Sequence, residues 1–395
     1  MQAVFYTAII DKFPMMRKIF FVVIFSIFSL IAVSPAFAQT VTPHPTPLPK
    51  APAVPQETYS TAKVLAVLAQ GVKTVEGQKS PYQKLRLQIL NGSDTGKILT
   101  LTYGNVANIS LHQEVSQGDT VVIMKTIAPH QPVSYEIVDT YRLNALYPVA
   151  ILFLVVVLLV TRLKGLGSLI GLGISVTVIL AFIVPQILAG QDPLLASIVG
   201  SMFIMVVTMY FAHGFSQKTN IALISTSLSL VLTGILSYVA VHLTFLTGLG
   251  SDNAASLLSG PVSNINFQGL LLGGVIIGSL GVLEDITTGL AASIQELSQA
   301  NNKLTFNQLV GSGLRIGSEH IAALVNTLVL AYAGVGLPIF LFLVINPNHQ
   351  PLWYILNSEL LMEEIVRTLA GGIGLILAVP LTAVFAAWAF QQKGR

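Results

Sequence analysis

About seven uncharged runs, each long enough to cross a lipid hydrocarbon core, limit what this chain can fold into more than any other feature. They cover roughly Leu146 to Thr161, Leu166 to Leu188, Leu194 to Ala212, Ile221 to Leu246, Gly269 to Leu283, Ile321 to Ile345 and Leu369 to Phe390. In hydrocarbon every backbone N–H and C=O must be satisfied within the protein, so runs of this length are expected as helices. Across 395 residues the chain is 53% hydrophobic and 9% charged, far below the charge content of about 25% in soluble proteins. It therefore reads as an α-helical polytopic membrane protein whose first partner is the lipid bilayer. The net charge of +3 sits in short tails and loops and leaves no footprint for nucleic acid.

The basic residues set an expected orientation. If the segment before residue 143 lies outside, then Arg162 and Lys164, Lys218, Lys303 and Arg315, and Lys393 and Arg395 all fall inside. The outward loops then carry Asp192, Asp252, Glu359, Glu363 and Glu364. The N-terminus agrees with this. Lys12, Arg17 and Lys18 precede an apolar run from Ile19 to Val33, followed by Ala36-Phe37-Ala38, the layout of a secretory signal peptide over residues 1–38. Cleavage after Ala38 is expected, with an uncleaved first span as the alternative.

Residues 39–57 are Pro-rich and read as an extended spacer. Over residues 58–142 the pattern changes to short alternating runs (TAKVLAVL, YQKLRLQIL, KILTLTY, TVVIMKT, VSYEIVDTY) divided by NGSDTG and QGD turns. This predicts a small exported antiparallel β-domain of about five strands, for which an OB-like barrel is a candidate form. The GSDTGK string at 92–97 lacks the spacing of a phosphate-binding loop and is expected to be a hairpin turn. The transmembrane domain then occupies residues 143–395.

With no Cys anywhere, disulfides, thiolate metal ligands and thiol nucleophiles are excluded. His44, His112, His130, His213, His242, His320 and His349 form no i,i+4 pair, so no metal site is encoded locally. Nucleophile motifs are also missing: Ser256, Ser259 and Ser263 have no adjacent base. Neither an enzyme nor a bound cofactor is expected. Gly167, Gly171 and Gly173, and then Gly269, Gly273, Gly274, Gly278 and Gly281, predict faces where helices approach closely and homo-oligomers are allowed. Pro185, Pro338 and Pro380 are expected to break helices near span ends.

Ionisable groups at membrane depth are a functional-site signal, and here they gather in residues 281–338. The fifth span is expected to reach the inner face at Glu284 and Asp285. The sixth leaves that face at Arg315, Glu319 and His320. These five groups would share one level, with Arg315 pairing Glu319 four residues on, and Asn326 deeper on the same face. His320 and Thr327 form the neighbouring stripe. Such a set suits cation coordination or a proton relay, and it equally suits structural pairing at helix ends. Residues 287–315 are too polar to cross and read partly as a helix lying in the interface. Glu363 and Glu364, just before Arg367, read as a salt bridge.

The blocks LEDITTGLAASIQEL, GSEHIAALVNTLVLAYAGVGLP and EEIVRTLAGGIGLILAVPLTA, in this order and behind an exported β-rich segment, resemble the YibE/F-like family of bacterial membrane proteins over about residues 58–390. By motif position the resemblance implies a polar signature at Asp285, Glu319, His320, Asn326, Thr327, Tyr332 and Arg367. Members commonly carry Gly-Arg-Asp before the His position, where this chain has Gly317-Ser318-Glu319, leaving Arg315 as the substitute partner. The expectation is a permease or channel-like protein of the bacterial cytoplasmic membrane, moving an ion or small solute past Asp285, Glu319, His320, Asn326 and Thr327, supported by Glu284, Arg315, Tyr332 and Arg367. The alternative is a non-transporting scaffold whose exported β-domain binds an envelope partner.

Overall fold

The computed structural model describes residues 56–75, 78–104, 114–129, 131–258, 265–346 and 349–391. The expected signal segment, the spacer up to residue 55, His44, His112, His130, Ser259, Ser263, Lys393 and Arg395 lie outside them. Two compact units divide between Val157 and Leu158.

In the first unit each alternating segment forms a strand: β1 Gln56–Val75, β2 Gln78–Ile89, β3 Ile98–Tyr103, β4 Thr120–Ile127 and β5 Ser134–Thr140. They make one antiparallel sheet in the order β3-β2-β1-β4-β5, and β3 also lies against β5. The long β1 serves two neighbours: its first part pairs with β4, its second with β2, and Ala62 faces both Ile89 and Val121. Register shifts after Val64 and Val67 bend β1 between these duties. Alternation is clean on β2, where Leu85, Leu87 and Ile89 point inward and Lys84 and Arg86 outward. With Ala62, Val64, Val121, Ile123 and Ile137 they form the core.

One polar side chain shares that core. Gln83 is 2% exposed, and its amide accepts from Val115 N–H at 2.8 Å and donates to Val115 C=O at 3.0 Å. Both ends of the amide are used, and so is the backbone of a residue thirty-two positions away.

The GSDTGK string is the β2–β3 hairpin turn. Gly92 and Gly96 take φ of 90° and 87°, the left-handed region that a Cβ disfavours. Asp94 in this turn meets Lys125 Nζ at 2.5 Å and accepts from the Tyr135 hydroxyl at 3.1 Å, tying the turn to β4 and β5. Lys125 holds the Asp94 carboxyl below its ordinary range, with Tyr135 adding to the effect. Asp94 in return holds the Lys125 ammonium above its own.

Among the described residues seven helices are long and apolar enough to cross a membrane: α1 Leu143–Arg162, α2 Gly165–Leu188, α3 Pro193–His213, α4 Gln217–Leu243, α6 Phe267–Ala300, α7 Phe306–Val335 and α10 Glu359–Gln391. Shorter helices are α5 Asp252–Leu258, α8 Leu337–Ile345 and α9 Leu352–Leu356. Side chains close the helix starts: Asp192 caps α3, Ser216 α4 and Asn266 α6, while Thr305 and Gln308 form a reciprocal capping box on α7. Asn266 also donates to Asp192 at 3.3 Å, joining the starts of α3 and α6. Arg162, at φ 54°, breaks α1 from α2.

Three expectations need correction. Residues 287–300 and 306–315 are not a separate surface helix, because α6 and α7 continue as unbroken rods around the turn at 301–305. The expected sixth span, Ile321 to Ile345, is two helices, since α7 ends at Gly336 and Pro338 opens α8. Pro380, in contrast, lies inside α10 without ending it.

Helix α6 lies at the centre of the bundle, bordered by α3, α4, α7 and α10. Close approach depends on particular glycines. A Cβ on Gly374 of α10 would strike the Thr233 hydroxyl on α4, one on Gly273 would strike Ser197 on α3, and one on Gly317 of α7 would strike Val379 on α10. Gly167 and Gly171 likewise abut α3, whereas Gly173, Gly274 and Gly281 face open space, so only part of each glycine row does packing work.

Two outcomes follow. Gly374→Ala should destabilise the detergent-solubilised chain by about 1–3 kcal/mol through overpacking, while Gly372→Ala, with nothing within 4 Å of the new methyl, should be neutral or raise the melting temperature through helix propensity. Because the Asp94 carboxyl is depressed and the Lys125 ammonium raised, their mutual stabilisation is complete between about pH 4 and pH 10. It is lost as pH falls through the folded carboxyl's value or rises through the folded ammonium's. Urea midpoints of the sheet, read by pulsed hydrogen exchange at one labelling pH, should fall less on acidification in Asp94→Asn than in the native chain.

Candidate functional site

Glu284 lies seventeen residues into α6, about 26 Å from its start at 1.5 Å per residue. It is half-buried and faces α3. The Thr208 hydroxyl on α3 sits 2.9 and 3.1 Å from the two carboxylate oxygens and 2.9 Å from the Ile204 carbonyl, so one hydroxyl hydrogen serves competing acceptors. One turn further along α6, Thr287 meets Thr226 of α4 at 2.6 Å, both fully buried. Thr288 donates back to the Glu284 carbonyl at 2.8 Å. The carboxylate itself is met by one hydroxyl, that of Thr208 on α3, and the α4 contact lies one turn further along α6.

The hydroxyl row continues along α4. Ser229, Thr233 and Ser237 are completely buried, and each donates to the carbonyl four residues earlier at 2.7 to 2.8 Å. Such back-bonding satisfies a hydroxyl without any neighbour. Ser201 on α3 and Ser225 on α4 are exceptions: both are wholly buried, and neither hydroxyl has a hydrogen-bond partner among the described residues.

Asp285 is turned away from Thr208 and exposed. It lines a cavity of 200 Å³ together with His213 at the end of α3, Lys218 and Thr219 at the start of α4, and Thr288 and Gly289. The two adjacent acids of α6 therefore serve different surroundings, as the helical rotation between successive residues requires.

The acids of α6 and the polar residues of α7 do not form one cluster. Gly278 abuts Tyr332 and Gly313 abuts Ile294, a register that sets Glu284 level with Asn326 and leaves Glu319 nearer the 301–305 turn. Helix α7 turns Leu309, Gly313, Gly317 and Leu328 inward, which puts Arg315, Glu319, His320, Asn326 and Thr327 on its exposed side. The expected Arg315–Glu319 pair is not made: Arg315 donates to Ser312 at 3.2 Å. His320 Nδ1 lies 3.0 Å from the Ile316 carbonyl, and Thr327 donates to Ala323 at 3.0 Å. The apolar stripe of α7, together with its glycines, decided the rotation.

At the opposite end of the bundle α10 opens with two working carboxylates. Glu359 Oε1 accepts from Thr247 N–H at 2.6 Å, the Thr247 hydroxyl at 2.7 Å and Gly248 N–H at 2.9 Å. Glu363, 6% exposed, accepts from Gly250 N–H at 2.9 Å. Gly248 has φ 85°, and a Cβ there would meet the Phe267 carbonyl. Of the two acids expected to pair with Arg367, only Glu364 does, at 3.4 Å. Tyr332 and Glu364 line an otherwise apolar groove of 330 Å³ beside α8.

The sequence does not single out Thr208 and Thr287, whereas Thr226 belongs to the Ser/Thr recurrence in ALISTSLSLVLTGILS, a signal that points to a polar helix face. A lone Thr such as Thr208 gives no signal until its helix neighbour is known.

The family model described as YibE/F-like protein matches residues 149–392, more than half of the chain. No curated protein matches, and no solved structure does.

Glu359→Ala should open the 247–250 loop and destabilise the bundle by about 1–3 kcal/mol, the scale for hydrogen-bond donors left unpaired. Hydrogen exchange should rise at Thr247 and Gly248 and stay unchanged around Glu284.

Proposed function

The chain belongs to the YibE/F-like family, and on that premise we propose that it is a permease or channel-like protein of the bacterial cytoplasmic membrane, moving a proton or small cation along a path centred on Glu284. The observation that carries this reading is the acid itself: a carboxylate midway along the central helix, held by a hydroxyl rather than by a cation. A carboxylate in a spanning segment is expensive and is a functional candidate by default. Thr208 of α3 supplies a hard oxygen beside the carboxylate, and the Thr226–Thr287 hydroxyl pair one turn on extends the row of donors and acceptors that a cation or a proton relay uses. Asp285, with His213 and Lys218 around its cavity, is the entry to this path at the α3–α4 turn.

The same proposal orients the bundle. Lys218 and Lys303 belong to the end formed by the α3–α4 and α6–α7 turns, and Asp192, Asp252, Glu359 and Glu363 to the other. The positive-inside rule assigns the basic end to the cytoplasm. The N-terminal β-domain is then outside, as a signal peptide over residues 1–38 requires. The β3-β2-β1-β4-β5 order with β3 against β5 supports an OB-like barrel for it.

Flux in proteoliposomes is the test. The full chain should conduct protons or a monovalent cation from a panel that includes divalent cations and small anions. Glu284→Gln should lower that flux at least tenfold with unchanged insertion and melting, and Thr208→Val should lower it less. Native flux that Glu284→Gln leaves intact would remove the acid from the path, and no flux for any solute would favour the scaffold alternative.

A further inference from the structure

Helix α7 carries its polar groups where the other described residues do not cover it. Arg315, Glu319, Ala322 and Asn326 are spaced by four, three and four residues, which lines them along one stripe. All four are exposed, opposite the inward Gly313, Gly317 and Leu328. Asn326 and Glu319 make no hydrogen bond or ion pair among the described residues, and Arg315 reaches only Ser312 of its own helix. Asn326 is twenty residues into α7, about 30 Å from its start, and level with Glu284. On the membrane reading above, that is hydrocarbon depth. Lipid chains offer an amide neither donor nor acceptor.

We propose that this stripe is the contact between two copies of the chain, related by a two-fold axis along the membrane normal. What argues for a second copy is self-complementarity. A carboxamide near a two-fold axis meets its own symmetry mate and can donate to it and accept from it at once. The axis keeps each residue at its own depth, so Arg315 meets Glu319 of the other copy by extending one turn along the seam, and this pair follows the carboxamide contact without carrying it. Gly311, Ser318, Ala322 and Ala323 are small enough to let the two backbones approach. The Glu284 path takes no part, because Glu284 faces α3.

The absence of cysteine makes the test direct. Ala322→Cys places a single thiol on the stripe, and Ile235→Cys places one on the exposed side of α4, where Ile235 is 55% exposed. Oxidised in native membranes, the Ala322→Cys chain should run mainly as a disulfide-linked dimer and the Ile235→Cys chain as a monomer. Native mass spectrometry of the cysteine-free chain should show a dimer, about tenfold less of it in Asn326→Leu, and a recovered dimer in Asn326→Gln. The leucine makes α7 more apolar, so insertion is not at risk. A monomeric native chain, or equal cross-linking at 235 and 322, would overturn the proposal. Because Glu284→Gln reads a different helix, a monomer that conducts would sink this inference alone, and a dimer without flux would sink only the path.

Discussion

A polar side chain inside an apolar bundle has to find its partner within the protein, and the arrangement of these helices follows from how each one does so. Most hydroxyls take the nearest solution and bond back to the preceding turn of their own helix, as Ser229, Thr233 and Ser237 do. That leaves them chemically quiet and small. They can then sit where two helices nearly touch, as Thr233 does against Gly374. Thr208 and Thr226 bond back as well, but they also reach across, and both reach to α6. Ordinary back-bonding therefore builds the bundle, and the few cross-helix hydroxyls mark its chemically distinctive centre.

The elements were largely legible before any coordinates. Runs of apolar residues dictate helices when no water is at hand, and alternation dictates strands when one face is covered, so the long apolar helices and the strands are legible in order, though not to their ends. The GSDTGK turn could be read too, since glycine spacing separates a hairpin from a phosphate loop. Helix ends were less visible: polar residues 287–300 looked like a surface segment, yet they extend α6, because a helix already started gains a hydrogen bond with each added residue.

The candidate site was half legible. Glu284 and Asp285 announce themselves as acids in apolar text, but which of the two turns inward depends on α3. Sequence spacing correctly put Arg315, Glu319 and Asn326 on one face of α7. It could not say that this face is turned from α6, because rotation is set by where Gly313 and Gly317 let α7 settle against Ile294 and Val379. Glu363 misled for a similar reason: Arg367 is four residues away in sequence, whereas Gly250 is its neighbour only in the folded chain.

The buried Gln83 of the β-domain has a consequence of another kind. Its amide joins β2 to the backbone of Val115, thirty-two positions away, a task that other domains give to a cystine. A crosslink made of two hydrogen bonds needs no oxidant, has no wrong pairings to reshuffle, and is indifferent to reductants. The tie between β2 and Val115 is thus governed by temperature and solvent and not by the redox state of its surroundings.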